Sequence, residues 1–497
     1  MSDDAFNEVE QKRKELVLFL KSSGVNPFGH RFITPMSNKE LVDNFEGLTG
    51  TDIEAKGRII AIRGHGKASF VSIRDFSGDI QVYFRLDNVG EEKYEFFKKA
   101  IDTGDFIGVK GQLFKTHTGE ITVEVKEFEL LSKAIRVLPE KWHGLKDPEI
   151  RYRRRYLDLV SNREVLDLFV KRSKAINAIR GFLTEQGFIE VETPMLQPIP
   201  GGASAKPFVT YYNALEQNMY LRIAPELYLK RLIIGGFEKV FELNRNFRNE
   251  GISLRHNPEF TMLEAYWAYA DYNDVMTLTE RLLFSTATSI NGKATCEFGE
   301  NVIDFTPPFK RIKFNDALKQ YAGVTVDELR DVENAKRVIA SLGIKMDKSF
   351  TIGNIINEIF DKKVEQNLIQ PTFVYEFPIE ISPLAKRTEN DPHMVDRFEL
   401  FISGLELANA FSELNDPLDQ YERFAAQIEA KNKGEEETQE MDTDYVEAME
   451  YGLPPTGGLG IGIDRLVMIL TGSPSIREVI LFPQLKKKEV NEEENEQ

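Results

Sequence analysis

Residues Arg245–Trp267 read RNFRNEGISLRHNPEFTMLEAYW, and how this stretch is read decides how the rest of the chain is organised. Arg245, Arg248, Arg255 and His256 stand beside Glu250, Glu259 and Glu264, with Phe247, Phe260, Tyr266 and Trp267 set between them. FRNEG and SLRHNPE are turn-rich, whereas EFTMLEAYWAYA alternates apolar and polar positions like a strand entering a buried sheet. The stretch predicts a strand, an arginine-bearing loop and a returning strand that carries Glu264 and Tyr266 on one face. Arginines held on a sheet beside aromatic rings suit a bound phosphate and a stacked base. A solvated hairpin with paired surface charges explains the same residues, and the stretch alone leaves both readings open.

The whole chain bounds the choice. Its 497 residues suggest two or three domains, and 41% hydrophobic with 29% charged residues is a folding composition. A single cysteine, Cys296, excludes an internal disulfide framework and a cysteine-based zinc site, and fits a reducing cytoplasm. The N-terminal MSDDAFNEVEQKRKE has no apolar signal core, and no apolar run reaches membrane-spanning length. A formal net charge of −17 argues against non-specific nucleic-acid binding, so an RNA partner must meet a local basic patch.

Upstream, residues 1–50 open with a charged amphipathic helix whose Leu16, Leu18, Phe19 and Leu20 are expected to pack on the protein body. Residues 51–145 hold five short strand patterns with one helical run, EEKYEFFKKAID, after the third. That order is the OB-fold, a small barrel whose strand face commonly binds oligonucleotides. Phe70 and Gln81 sit on adjacent strands of that face, where a ring could stack a base and an amide read its edge. Phe70 as a core residue is the competing reading. Residues 146–160 form a hinge in which Arg151, Arg153, Arg154 and Arg155 suit either RNA phosphates or interdomain ion pairs.

Residues 161–484 alternate long helices with apolar strands: the helix VLDLFVKRSKAINAIRGFLTEQG, a strand FIEVETPML ending at Pro194, then PIPGGASAKPFV as loop. MYLRIAPELYLKRLIIGG runs from strand into helix, and about 325–368 is a helical insertion with no legible charge constellation. ELFISGLELANAFSELND is strand-like and carries Glu399, Glu406, Asn409 and Glu413. KNKGEEETQEMD reads as a mobile polar stretch, and residues 485–497 as a disordered charged tail. The overall expectation is an α+β protein. Neither a GxxxxGK[ST] phosphate loop nor a GxGxxG after a strand is present. The glycine-rich piece is GLGIGIDR, where glycines admit close backbone approach and Arg465 opens a helix, though a tight glycine hairpin explains it as well.

In order, a helix–strand unit ending in Pro194, an Arg248 loop flanked by Glu250 and Phe260, and GLGIGIDR resemble the three signature motifs of class II aminoacyl-tRNA synthetases. With the preceding barrel, the chain is similar to their aspartate–asparagine–lysine subgroup. PGGASAKPF, APELYLKRL, FRNEGISLRHNPEFTMLEAY, NAFSELNDP and GLGIGIDR look most like its bacterial-type lysine branch, over about residues 50–484.

The resemblance implies an antiparallel catalytic sheet flanked by helices, a homodimer built around Pro194, and anticodon binding by the barrel. It implies that Arg248 bridges the ATP α-phosphate and the amino-acid carboxylate, that Phe260 stacks adenine and that Arg465 holds the γ-phosphate. Glu250, His256 and Asn257 would complete the nucleotide contacts, and Glu399 with Glu406 would bind Mg2+. Gly202, Glu226 and Glu264 would take the α-ammonium of L-lysine, Asn409 its carboxylate, and Glu413 with Tyr266 and Phe411 its side-chain ammonium. The partners implied are ATP, L-lysine and tRNA(Lys).

The chemistry accords with these roles. The attacking carboxylate is already ionised near neutral pH, so the obstacle is the approach of two anions, which a permanently charged guanidinium relieves. A pocket with Glu226, Glu264 and Glu413 suits a doubly cationic amino acid and repels an acidic one. Two other readings compete: a protein-lysylating paralogue, which lacks the barrel, and a non-catalytic RNA-binding derivative, which loss of Arg248, Arg465, Glu399 or Glu406 would favour. All four are present.

Overall fold

The computed structural model of the protein describes residues 3–139, 145–345, 351–432 and 441–486. Residues 140–144, at the end of the stretch assigned to the barrel, most of the KNKGEEETQEMD stretch and the charged tail from 487 lie outside the described residues. Contacts divide the chain into two compact units, 1–146 and 147–497.

In the first unit, strands β1 (Asp52–His65), β2 (Ala68–Arg74), β3 (Asp79–Arg85), β4 (Phe106–Lys115) and β5 (Ile121–Ser132) close into a barrel in the order β1-β2-β3-β5-β4. The ring closes because β4 pairs back on β1, and β3 and β5 run parallel. Period-two alternation sends Val71, Ile73, Val82, Phe84, Val109, Val123 and Val125 inward, all fully buried. The helix Glu91–Ala100 covers one end, its Phe97 ring stacked at 4.2 Å on Phe84. The N-terminal helix Asp3–Ser22 contributes Leu20 to this core, with Leu16 packed against it. Leu18 and Phe19, expected inside, are instead 66% and 64% exposed: a helix buries one stripe, and they lie off it.

The second unit is built on an eight-stranded sheet. Its strands are β6 (Ile189–Glu190), β7 (Lys239–Phe247), β8 (Glu259–Ala268), β9 (Lys310–Lys313), β10 (Thr372–Pro378), β11 (Met394–Ile402), β12 (Leu405–Ser412) and β13 (Thr456–Gly462), in the order β9-β10-β11-β12-β13-β8-β7-β6. Its six central strands are antiparallel, and only the edge pairs β9·β10 and β6·β7 are parallel. The strand expected over FIEVETPML shrinks to Ile189–Glu190. Beyond it Pro194 has no N–H to give a ladder, and the Thr193 N–H bonds the Glu242 carboxylate at 3.2 Å instead.

One sheet face packs on the helices Arg163–Glu185, Tyr272–Asn291 and Ile463–Thr471, burying Phe241, Leu243, Leu263, Ala265, Leu459 and Ile461. Alternation then obliges Glu242, Glu264 and Tyr266 to the other face. The β11–β12 hairpin turns on Ser403 and Gly404, both at positive φ, the two-residue geometry that fits the twist of a hairpin. The helical insertion is real (Val326–Leu329, Val332–Ser341, Ile352–Lys363) and starts earlier than read, with Phe314–Ala322 sharing its separate apolar core.

The hinge arginines settle into the second unit itself. Arg155 is fully buried, paired with Asp158 at 2.7 Å and donating to the carbonyls of Arg477, Ile480 and Leu481. Arg151 also pairs with Asp158, and Arg153 pairs with Glu149 and donates to the Lys486 carbonyl. Among the described residues these ion pairs all lie within the second unit, Arg151 and Arg153 stay partly exposed, and Arg154 is exposed.

Candidate active site

The polar face of the sheet walls a cavity of about 840 Å³. Gly202, Glu226, Arg248, Glu250, His256, Asn257, Phe260, Glu264, Tyr266, Glu406, Asn409, Phe411, Glu413 and Arg465 all line it. The residues expected to hold an amino acid and those expected to hold a nucleotide thus share one cleft, and the solvated-hairpin reading is overturned.

The floor is β13. Gly460 lies between Glu264 of β8 and Asn409 of β12, and Gly458 between Tyr266 and Phe411. The glycine-rich segment is accordingly a central strand and not a hairpin. Side chains here would fill the cleft: a Cβ on Gly458 would overlap Oε1 of Glu413 and stand 2.9 Å from the Tyr266 ring. At Gly202, φ +84° and a Glu226 Cβ 2.8 Å from where a side chain would begin both demand glycine.

At the nucleotide end, Arg248 leaves the end of β7 and sits 5.2 Å from the Phe260 ring centre. Burial lowers its pKa, opposed by Glu250, Glu406 and Glu264, but a guanidinium stays charged. Its Nε is buried without a hydrogen-bond partner among the described residues, a donor waiting for an acceptor. Arg465, in the first turn of the helix Ile463–Thr471, is bracketed: it donates to the Glu406 carbonyl at 2.6 Å, approaches the Glu406 carboxylate at 3.3 Å and meets His256 Nε2 at 3.1 Å. A donor guanidinium there requires Nε2 to accept, so the His256 proton sits on Nδ1 and goes to Ser253 Oγ at 2.8 Å. His256 is correspondingly held below the ordinary histidine pKa, by burial first and Arg465 second. Asn257 is tied down by its 2.6 Å bond to the Glu259 carbonyl.

At the amino-acid end, Glu226, Glu264 and Glu413 are buried, and Tyr266 donates to Glu264 at 3.2 Å. Burial, and then Glu226, push Glu264 up to about 8. Glu413 is raised well above the carboxylate range by burial, with Lys230 pulling the other way. The two expected metal carboxylates part company. Glu406 is on the cavity wall, while Glu399, opposite Asn409 in the strand register, is taken up by an ion pair with Arg397. Burial, and repulsion from Glu406 and Asp361 against the pull of Arg397, push Glu399 up to about 7; Glu365 rises to about 8 and Asp361 to about 6. Among the described residues no three carboxylate, histidine or cysteine side chains converge on one metal position, so Glu399 and Glu406 fit Mg2+ only as two oxygen donors beside bound phosphates.

Several residues of the site were not singled out from sequence. Lys230 lies inside the pocket wall, Arg222 is fully buried against Glu242 at 2.6 Å, and Arg172 pairs with Asp464 at 2.7 Å to fix the start of the Arg465 helix. Arg397 donates to Asn409 Oδ1 at 3.0 Å. The insertion contributes Thr351, Ile352, Gly353, Asn354 and Asn357 to the wall. Only APELYLKRL offered a signal, since a lysine four residues after a glutamate faces it on a helix.

In the barrel, Phe70 is 36% exposed on the outer surface and stacks at 4.5 Å on Tyr83, which meets Phe114 edge-on at 6.0 Å. Its core reading fails. Gln81 is half-buried and its Oε1 accepts from Thr122 at 2.9 Å.

A class II synthetase site joined in sequence to an OB barrel is what these geometries define. Residues 147–486 match the family model of tRNA synthetases class II (D, K and N), and 53–131 that of the OB-fold nucleic acid binding domain. The chain is 54% identical to a lysine–tRNA ligase of Syntrophomonas wolfei, over 98% of this chain and 99% of that one. It is 52% identical to a lysine–tRNA ligase of Bacillus subtilis, over 98% of each. The chain belongs to the class II tRNA synthetase family of the D, K and N group.

Proposed function

We propose that this chain activates L-lysine with ATP and transfers it to tRNA(Lys). The carrying observation is that Glu226, Glu264 and Glu413 share one cleft with Arg248 and Arg465, so two ammonium groups, a carboxylate and a polyphosphate have partners side by side. In the first step a lysine carboxylate oxygen attacks the α-phosphorus; the bond to the bridging oxygen breaks and pyrophosphate leaves. Arg248 contacts both anions as they meet, and its unpartnered Nε supports that role. Phe260 presents a ring for adenine, and Arg465, braced by Glu406 and His256, faces the departing phosphates. Glu250 and Asn257 complete the nucleotide wall. Mg2+ held by Glu406 and Glu399 would neutralise phosphate charge. In the second step a terminal ribose hydroxyl of tRNA attacks the lysyl carbonyl, AMP leaves, and the hydroxyl proton departs with the phosphate.

The α-ammonium is assigned to Glu226, Glu264 and the Gly202 carbonyl region, the carboxylate to Arg248 with Asn409, and the side-chain ammonium to Glu413, Tyr266 and Phe411. Residues 51–145 bind the anticodon through the Phe70 and Gln81 face, and the protein works in the cytoplasm. A homodimer forms around Pro194, supported by the exposed apolar side chains Ile189, Leu196, Val209, Tyr211 and Tyr212. Pyrophosphate exchange against lysine, ornithine, arginine and aspartate tests the reading. Lysine should dominate; exchange with aspartate, or with none of the four, would overturn it.

A further inference from the structure

The amino-acid pocket already contains an ammonium. Lys230, one turn into the helix Glu226–Ile234, is fully buried, with Nζ 2.6 Å from Glu226 Oε1 and in contact with Glu413 Oε2. The Phe411 ring lies 5.6 Å away, and Tyr445, buried with no hydrogen-bond partner for its hydroxyl among the described residues, faces it from the helix Thr443–Glu450. Burial alone would discharge this lysine, but Glu226 and Glu413 outweigh it and hold its pKa well above the ordinary value. Glu413 Oε1 is left buried without a hydrogen-bond partner among the described residues, over Gly458.

We propose that Lys230 is a positioning residue for amino-acid selection: its fixed ammonium holds Glu226 and Glu413 apart, occupying one oxygen of each and leaving the other for one of the two ammonium groups of the substrate. This rests on the reading of lysine as substrate. Three buried carboxylates with no internal cation would hold protons in the empty pocket and meet a dication as neutral acids. One cation among them opposes that protonation, and at Glu413 it pulls directly against burial. A buried ion pair is a poor way to add stability, since apolar replacements of similar volume do as well or better, so its presence between two cavity-lining carboxylates points to the ligand. Spacing matters as well: with both carboxylates tied to one nitrogen, a shorter diamine cannot draw them together.

The test is lysine-dependent pyrophosphate exchange by the full-length protein carrying Lys230→Met, Lys230→Gln or Lys230→Arg. The groups around the site that titrate are Glu226, Glu264, Glu413, Tyr266 and Tyr445. Met and Gln should raise the lysine KM about a hundredfold, leave the ATP KM within about threefold, and move the acid limb of kcat/KM for lysine upward as Glu413 loses its stabilising charge. Arg should restore the acid limb. A folded Met or Gln variant with the parent's lysine KM and pH profile overturns the proposal. So does failure of both to fold while Arg folds, because the charge then serves the fold. An unmodified protein that does not exchange with lysine at all would instead refute the substrate reading.

Discussion

Gly458→Ala isolates the substrate-side geometry. Gly458 lies in regular strand between Tyr266 and Phe411, so alanine meets no backbone strain and the perturbation is steric alone. The new methyl would overlap Glu413 Oε1, and would lie 3.1 Å from its Cδ and 2.9 Å from the Tyr266 ring. Glu413 cannot swing freely, because its other oxygen rests on Lys230 in a fully buried site. Moving it forfeits a charge-assisted contact to substrate of about 1.5–3 kcal/mol. At 1.36 kcal/mol per decade that is about a 10–150-fold loss in kcat/KM for lysine. The contact holds substrate in ground and transition states alike, so the loss should fall on lysine KM, with kcat and ATP KM little changed. Lysine-titrated pyrophosphate exchange at saturating ATP measures it. Gly181→Ala, on an exposed helix position with nothing within 4 Å, is the matched control and should leave kinetics alone while adding up to about 1 kcal/mol of stability. A folded Gly458→Ala protein with unchanged lysine KM would refute the argument that the cleft ends at Glu413.

Arg248→Ala should cut adenylate formation by at least a hundredfold while shifting the melting temperature little, since a buried guanidinium with an unpartnered Nε contributes more to the ligand than to the fold; near-normal exchange would contradict this. Phe70→Ala should weaken tRNA charging and spare lysine activation, because the ring is on the outer barrel surface; parallel loss of both in a folded variant would refute the RNA role. Glu264, pushed up to about 8, keeps its proton in the empty site at pH 7 and should release it to bind the ammonium, so calorimetry in buffers of different ionisation enthalpy should detect proton release, and buffer-independent heats would refute it. The same group binds a proton in the folded but not the unfolded chain between about pH 4.5 and 8, so its contribution to stability falls with rising pH across that window.

The barrel and the cleft were legible for a shared reason: period-two strands declare which residues share a face. Glu264 and Tyr266, two apart on β8, could be placed together from sequence, and they are joined by a hydrogen bond. Arg248 with Phe260, and GLGIGIDR with its helix, were readable because loops and caps leave compositional marks. What sequence could not supply was pairing across distance. The arginine run 151–155 looked available for RNA because Asp158 is close in sequence but the carbonyls of residues 477–486 are not. Lys230 passed as one more charge on a helix, since nothing local says that Glu413, 183 positions on, lies opposite. Glu399 and Glu406 read as equals, yet Glu399 is paired with the neighbouring Arg397 while Glu406 lines the cleft, and a register shift separates their positions on the two strands.

The buried Arg155 has a consequence for how the protein is made. Three of its donors are satisfied only by carbonyls between Arg477 and Leu481, so the first helical turns of the catalytic unit stay incomplete until nearly the last residues arrive. A nascent chain stopped short of residue 477 would keep the Asp158 pair but bury the other guanidinium donors without acceptors, or leave that segment open to proteolysis. Both ends of the unit are thereby knotted together at one seam, which is a natural place to reopen it: a circular permutant joined across that seam would keep every strand of the sheet in its present order.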